Sequence, residues 1–372
     1  MISRLCFFVL LLVLSVSSCF GEGIRGVWFT TNWGLDWPQG VYDEAKQKEA
    51  IVKSLDRLKK AHFNLVLFQV QANGDVAWDS KYQPAMSAIT GDGSRRLKYD
   101  VCRFVIDECH KRDMKCHAWV VPFMVGANKR IQAYDRNPVA HPAKKHKKWC
   151  VLFEKNYYLD PGLPEVRKYV VDVYKELLTR YDFDGLHLDY TRYPGLAFPD
   201  AKSFQKHNPR KLKKDEWRRS NINSFVAAVN KMAKSVRPGI VVGSAPIGTY
   251  RNTGKYKNAT AYESYCQDPV AWVRSGDNEL IVPQMYWGED KGFSTHIDTW
   301  VKEAKGANVV VGLAPYRIAE SGWKAGDVVK LMNTALKKRG VKGVCFFRAE
   351  HVLGNHREVK KLYNTLVNTP LR

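Results

Sequence analysis

Residues 184–194, DGLHLDYTRYP, leave one carboxylate at the end of an apolar run. Gly185 to Leu188 read as a buried strand, Asp189 closes it, and Tyr190, Arg192 and Tyr193 follow at once. A strand that finishes this way either frays into a polar turn or carries a group placed for acid–base or nucleophilic work. Similar residues close other apolar runs: Asn32, Gln69, Trp119, then Gln284 with Tyr286 and Trp287, Tyr316, and Arg348 with Glu350. Indole and phenol rings stack on sugar faces, and amides and carboxylates bond hydroxyls, so the set points to carbohydrate.

Breaking a glycosidic bond normally takes two carboxyl groups, one as acid and one as nucleophile or base. Asp189 suits the second role. For the first, Glu350 is the leading candidate, with Asp75, Glu289 and Asp290 as alternatives. Gln284, Tyr286 and Trp287 are expected to shape a sugar subsite, and Arg192 to orient Asp189 or bind a substrate carboxylate. No His pair has the spacing of a zinc hydrolase, and GSAPIG around Ser244 is not a nucleophile elbow. Neither a metal nor a cofactor is therefore expected, and His117 and His187, inside strands, read as core residues.

These side chains need a frame. Eight apolar, β-branched runs occupy 24–31, 64–71, 115–123, 185–193, 240–248, 279–287, 308–316 and 342–350. Amphipathic stretches such as 49–62, 164–181 and 223–236 lie between them. Strands apolar on both faces and separated by helices imply a helix-covered parallel sheet. Eight units predict an α/β fold, a (β/α)8 TIM barrel, as one domain over residues 24–368. A doubly wound sheet would want a Gly-rich phosphate turn after the first strand, and TTNWGLDWP has none. Barrel sites form at the C-terminal ends of the strands, where the polar and aromatic residues fall. The longest connections, 124–163 and 194–215, follow the third and fourth strands and bring basic insertions, KKHKK (144–148) and KHNPRKLKKDEWRR (206–219), expected beside the rim.

The 372 residues are 45% apolar, enough for a substantial core, and carry a formal net charge of +22. So basic a chain suits an anionic partner. Nucleic acid is not expected, because no finger spacing and no basic, aromatic-interleaved helix occurs. Residues 1–18 read as a lipoprotein-type signal peptide, with Val16-Ser17-Ser18-Cys19 as the cleavage motif and Cys19 as the lipidated residue. That predicts export from the cytoplasm and lipid anchoring in the bacterial cell envelope. The six later cysteines, Cys102 to Cys345, are expected as mostly buried free thiols.

Several motifs in order carry a resemblance. They include RGVWFTTNWGLDWP (25–38), LVLFQVQANGDVAWDSKYQP (65–84), YDFDGLHLDYTRYP (181–194), SAPIGTYRN (244–252), VPQMYW (282–287), VGLAPYRI (311–318) and FFRAE (346–350). With them the chain resembles the glycosyl-hydrolase-like family 10 domain proteins, bacterial barrel proteins that are often lipoproteins. The resemblance implies a (β/α)8 glycoside hydrolase with the acid after the fourth strand, here Asp189, as a catalytic carboxylate. It adds Asp75 and Arg219 as site residues. It also suggests a polysaccharide substrate, anionic or built of amino sugars, such as peptidoglycan glycan strands stripped of their peptides. Two departures stand out. Tyr190 replaces a frequent second acid, and Glu350 sits one place beyond the family's usual acid on the last strand. They leave room for a barrel that binds glycan without cutting it, or for an envelope protein held by its positive charge.

Overall fold

The structure, a computed structural model, describes residues 23–370, so the segment 1–18 and Cys19 lie outside the described residues. Eight parallel strands close on themselves: β1 (Ile24–Phe29), β2 (Leu65–Ala72), β3 (Lys115–Val120), β4 (Gly185–Asp189), β5 (Val241–Ala245), β6 (Leu280–Ile281), β7 (Asn308–Leu313) and β8 (Val341–Phe347). They pair in the order β1-β8-β7-β6-β5-β4-β3-β2, and β2 pairs back to β1 through Gly26↔Leu65 to Phe29↔Phe68. A helix follows each strand: α1 (Glu44–Lys60), α2 (Val101–His110), α3 (Pro164–Arg180), α4 (Lys214–Val236), α5 (Pro269–Arg274), α6 (Phe293–Glu303), α7 (Ala325–Leu336) and α8 (Arg357–Val367). The predicted (β/α)8 barrel is the fold.

Local chemistry starts the helices where the sequence puts them. Asp43, Asp100 and Asp268 accept from the backbone N–H groups of Lys46, Arg103 and Ala271, satisfying donors that a helix start leaves unpaired. Pro164 and Pro269 stand in first turns, where their missing N–H costs nothing. The strands are shorter at their C-terminal ends than the apolar runs suggest. Pro122, Pro246, Pro283 and Pro315 fall just past β3, β5, β6 and β7, and a proline has no N–H to give a ladder. Beyond Pro283 the pairing survives only as bridges from Gln284 to Ile247 and Gly312.

Side chains alternate in and out along each strand. On β1, Ile24 and Trp28 fill the barrel interior with Leu65, Leu67, Leu280, Val310 and Cys345, while Val27 and Phe29 pack outward against the helices. Trp28 donates to Nε2 of His187 at 3.3 Å. Burial keeps the His187 and His117 imidazoles neutral, well below the ordinary histidine range for His187 and down to about 4 for His117. Gly185 makes room for the latter, since a Cβ there would stand 2.4 Å from its Nδ1. Five cysteines are buried and Cys150 half-buried, each with a free thiol. Among the described residues no helix is long and apolar enough to cross a membrane.

The loop after β3 folds into a three-stranded antiparallel sheet of Met124–Gly126, Cys150–Phe153 and Asn156–Leu159. Both insertions are there, but their positive runs do not reach the central cavity. Lys144 pairs with Asp135, while Lys214 and Arg218 pair with the buried Asp200 at 2.9 and 2.8 Å.

Candidate active site

The C-terminal ends of the strands enclose a cavity of about 600 Å³. Its wall includes Asn32, Gln69, Trp119, Asp189, Gln284, Tyr286, Tyr316 and Arg348, all expected from the sequence. Each lies in the C-terminal half of its strand or within a few residues beyond it, so barrel closure brings together residues up to 316 positions apart in the chain. A hollow at the opposite end, lined by Lys115, His117, Asp184 and Arg237, is different in kind. There Asp184 is held by Lys115 and His110 at 2.9 and 2.8 Å, a hydrogen-bonded cluster on the barrel's stability face.

Asp189 is only 2% exposed, and three donors aim at its two oxygens. Oδ1 accepts from the Gln284 amide at 3.0 Å and the Tyr190 backbone N–H at 2.7 Å; Oδ2 accepts from the Trp119 indole at 3.1 Å. A carboxylate offers about four lone pairs, so Oδ1 is filled and Oδ2 keeps one for a reacting group. Burial pushes the Asp189 carboxyl up to about 6, against the Arg192 charge and the three donors, which favour the anion. Donors arranged this way oppose a resident proton and suit a base or nucleophile. Trp119→Phe should therefore raise the pH midpoint of activity above its wild-type value and slow turnover at neutral pH by about tenfold, the weight of a hydrogen bond to a charged group. A pH–rate profile identical to the wild type would show that the indole only fills space.

Tyr190 projects over the cavity, 48% exposed, from a backbone φ of +49°, unusual for a bulky residue and a mark of local constraint. Arg192 lies beneath its ring, 4.3 Å from the centroid, so it acts on Asp189 through its charge and not through a hydrogen bond. Gln69 also works at one remove. Its Oε1 accepts from the Thr30 hydroxyl at 2.5 Å and from the N–H groups of Thr31 and Asn32 at 3.2 and 2.9 Å, fixing the end of β1.

Five expected site residues fall outside the cavity wall. Glu350 is exposed; its carboxylate pairs with Arg348 at 2.9 Å, and its N–H donates to Asp36 at 2.8 Å. Asp75 is wholly buried, held by the Tyr134 hydroxyl and by Arg130 at 2.9 Å, because a short strand (Asp75–Val76) folds back on β2 and turns it away. Arg219, on the outer helix α4, stacks 4.1 Å over Tyr262 and donates to its carbonyl. Trp287 packs on the core beside His296, and Arg192 lies under Tyr190 as described. Glu289 and Asp290 are exposed in a turn away from the wall.

Strand-end reasoning missed Glu320 and His351, which line the wall, and Asp36, which stands behind it. Glu320 is exposed at its edge, on a short helix (Arg317–Ser321) after β7, one turn beyond Tyr316. His351 is kept neutral by burial and the Arg348 charge, its pKa lowered to about 4. Asp36, its side chain 1% exposed, pairs with Arg348 and accepts from Thr30 N–H at 2.8 Å, which pins Arg348 at the rim. Burial outweighs these partners and raises the Asp36 carboxyl to about 6. Among the described residues no cluster of His, Cys, Asp or Glu could hold a metal.

Comparison with known proteins bears on the family and the fold. The family described as glycosyl hydrolase-like 10 matches residues 23–327. Glycosyl hydrolase DigH of Escherichia coli is 31% identical over 327 residues, 80% of this chain and 74% of that protein. Glycosyl hydrolase YngK of Bacillus subtilis is 31% identical over 315 residues, 79% of this chain and 61% of that one. Among solved structures, the PgaB (BpsB) glycoside hydrolase domain from Bordetella bronchiseptica aligns with a TM-score of 0.62 at 14% identity, covering 93% of this chain and 98% of that one. An alpha-L-fucosidase from Paenibacillus thiaminolyticus reaches 0.59 at 14% identity, covering 93% of this chain and 48% of that chain. At such identity these two share the fold alone.

Proposed function

The chain belongs to the glycosyl hydrolase-like 10 family, and on that premise we propose that it is a glycoside hydrolase of the bacterial cell envelope whose substrate is peptidoglycan glycan freed of its peptides. The observation that carries the reading is Asp189: a buried carboxylate, polarised by three donors, with one lone pair open to a cavity walled by tyrosine, indole and amide. In the proposed mechanism Asp189 acts through Oδ2 as nucleophile or as base toward water. Glu320, the other carboxylate of the wall, protonates the leaving oxygen. Tyr190 and Tyr316 offer faces and hydroxyls to the sugar, Tyr286 adds its ring, and Arg348, held by Asp36 and Glu350, lines the wall beside them. The test is release of new reducing ends from peptide-free strands by wild-type protein; a protein that binds the strands and never cuts them would sink the hydrolase reading.

The N-terminal sequence supports export and lipid anchoring at Cys19, and a net charge of +22 suits an anionic envelope surface or glycan. Labelled fatty acid should enter the protein expressed in a bacterium that processes lipoproteins, and Cys19→Ala should abolish the label. Labelling that survives the substitution would remove the anchor.

A further inference from the structure

Beside the cavity, across the loop that follows β1, lies a second hollow of about 940 Å³. Its floor and walls include Trp33, Tyr42, Lys129, Arg130 and Arg136. Trp33 is the most exposed large apolar side chain among the described residues at 67%, yet it is not loose. Its backbone sits at φ +57°, and the Arg130 guanidinium stacks 4.6 Å from its ring centroid. Arg130 itself is 7% exposed and held by Asp75 and by the Asn32 amide oxygen at 3.0 Å, while its Nε has no partner. A constrained, solvent-facing indole backed by a fixed cation is an odd thing to leave uncovered.

The two hollows share their dividing ridge. Asn32 and Leu35 face the catalytic cavity and Trp33 faces the second hollow; Met124 and Ala127 divide in the same way on the loop after β3. A chain leaving the cavity over Asn32 would lay its next units on the Trp33 ring. We infer that this hollow is a remote sugar subsite, in which Trp33 stacks on a pyranose unit of a glycan threaded through the cavity. Lys129 and Arg136 share its wall with Asp92 and Asp135, so charges of both signs and the Gln132 amide stand ready to bond the hydroxyls of a sugar unit. The enzyme would thus grip a polymer away from the bond it cuts.

This inference rests on the glycan-cleaving reading above, so its test is a binding measurement on the non-cleaving variant Asp189→Asn. Size-fractionated peptide-free peptidoglycan strands are the probe, and calorimetry is the readout. Affinity should rise with length once the chain outgrows the cavity, and adding Trp33→Ala should remove that rise, about tenfold for long strands. Trp33→Tyr should keep most of it, which a mere folding defect would not allow. A length dependence unchanged by Trp33→Ala, or no strand bound at any length, overturns the subsite. Trp33-dependent binding by a wild-type protein that cuts nothing keeps the subsite and sinks the hydrolase reading instead.

Discussion

Asp189→Asn is expected to lower kcat/KM on peptide-free glycan strands by about 10³-fold or more, the usual scale for removing a nucleophile or base, and to stabilise the protein at alkaline pH relative to wild type. The two effects share a cause. Burial raises the Asp189 carboxyl to about 6, so the folded chain holds that proton more tightly than the unfolded one. Asp189 therefore contributes stability in full below the ordinary carboxylate range, and the contribution is lost as pH rises through about 6. Above that, ionised Asp189 burdens the fold by up to about 3 kcal/mol, and asparagine carries no such burden. Urea unfolding at about pH 4 and about pH 8 should show the variant gaining on wild type by that amount between the two. Wild-type activity should rise with pH on its acid limb, with a midpoint near 6, because the base must be ionised. Activity that instead falls through that midpoint would make Asp189 the proton donor. An unchanged stability gap would mean the carboxyl titrates normally.

The barrel was legible because its signal is repeated. Eight apolar runs with helices between them leave few other folds, and the polar residue closing each run marks the rim. Asp189, Gln284 and Tyr316 were readable for that reason: each sits where a strand hands its last side chain to the cavity. The misses share a physical origin in the loops. Glu350 follows the same strand-end logic, but the chain turns after β8 and spends its carboxylate on Arg348. Asp75 is turned inward by a two-residue strand too short to leave a pattern. Glu320 and Asp36 depend on how loops fold across the barrel mouth, which periodicity does not encode. One weak signal existed for Glu320, since it stands four residues past Tyr316 and a helical turn there puts both on one face.

That turn leads to the second large effect. Glu320→Gln should slow cleavage of glycan strands by about 10²- to 10⁴-fold, the range for loss of a general acid. Glu350→Gln should change it less than about threefold, since an exposed ion pair carries little energy. The geometry favours this ranking. β7 lies three places from β4 around the closed barrel, so Glu320 and Asp189 belong to different sides of the cavity wall. Glu350 points into a pairing with Arg348, which Asp36 already holds from the other side. Protonation matters most when the departing oxygen is a poor leaving group. The Glu320→Gln defect should therefore shrink at least tenfold on aryl glycosides with acidic phenol leaving groups, while an Asp189→Asn defect should persist on both. A Glu320→Gln enzyme that cuts strands at the wild-type rate, or a Glu350→Gln enzyme that fails on strands and recovers on aryl glycosides, would move the proton donor back to the end of β8.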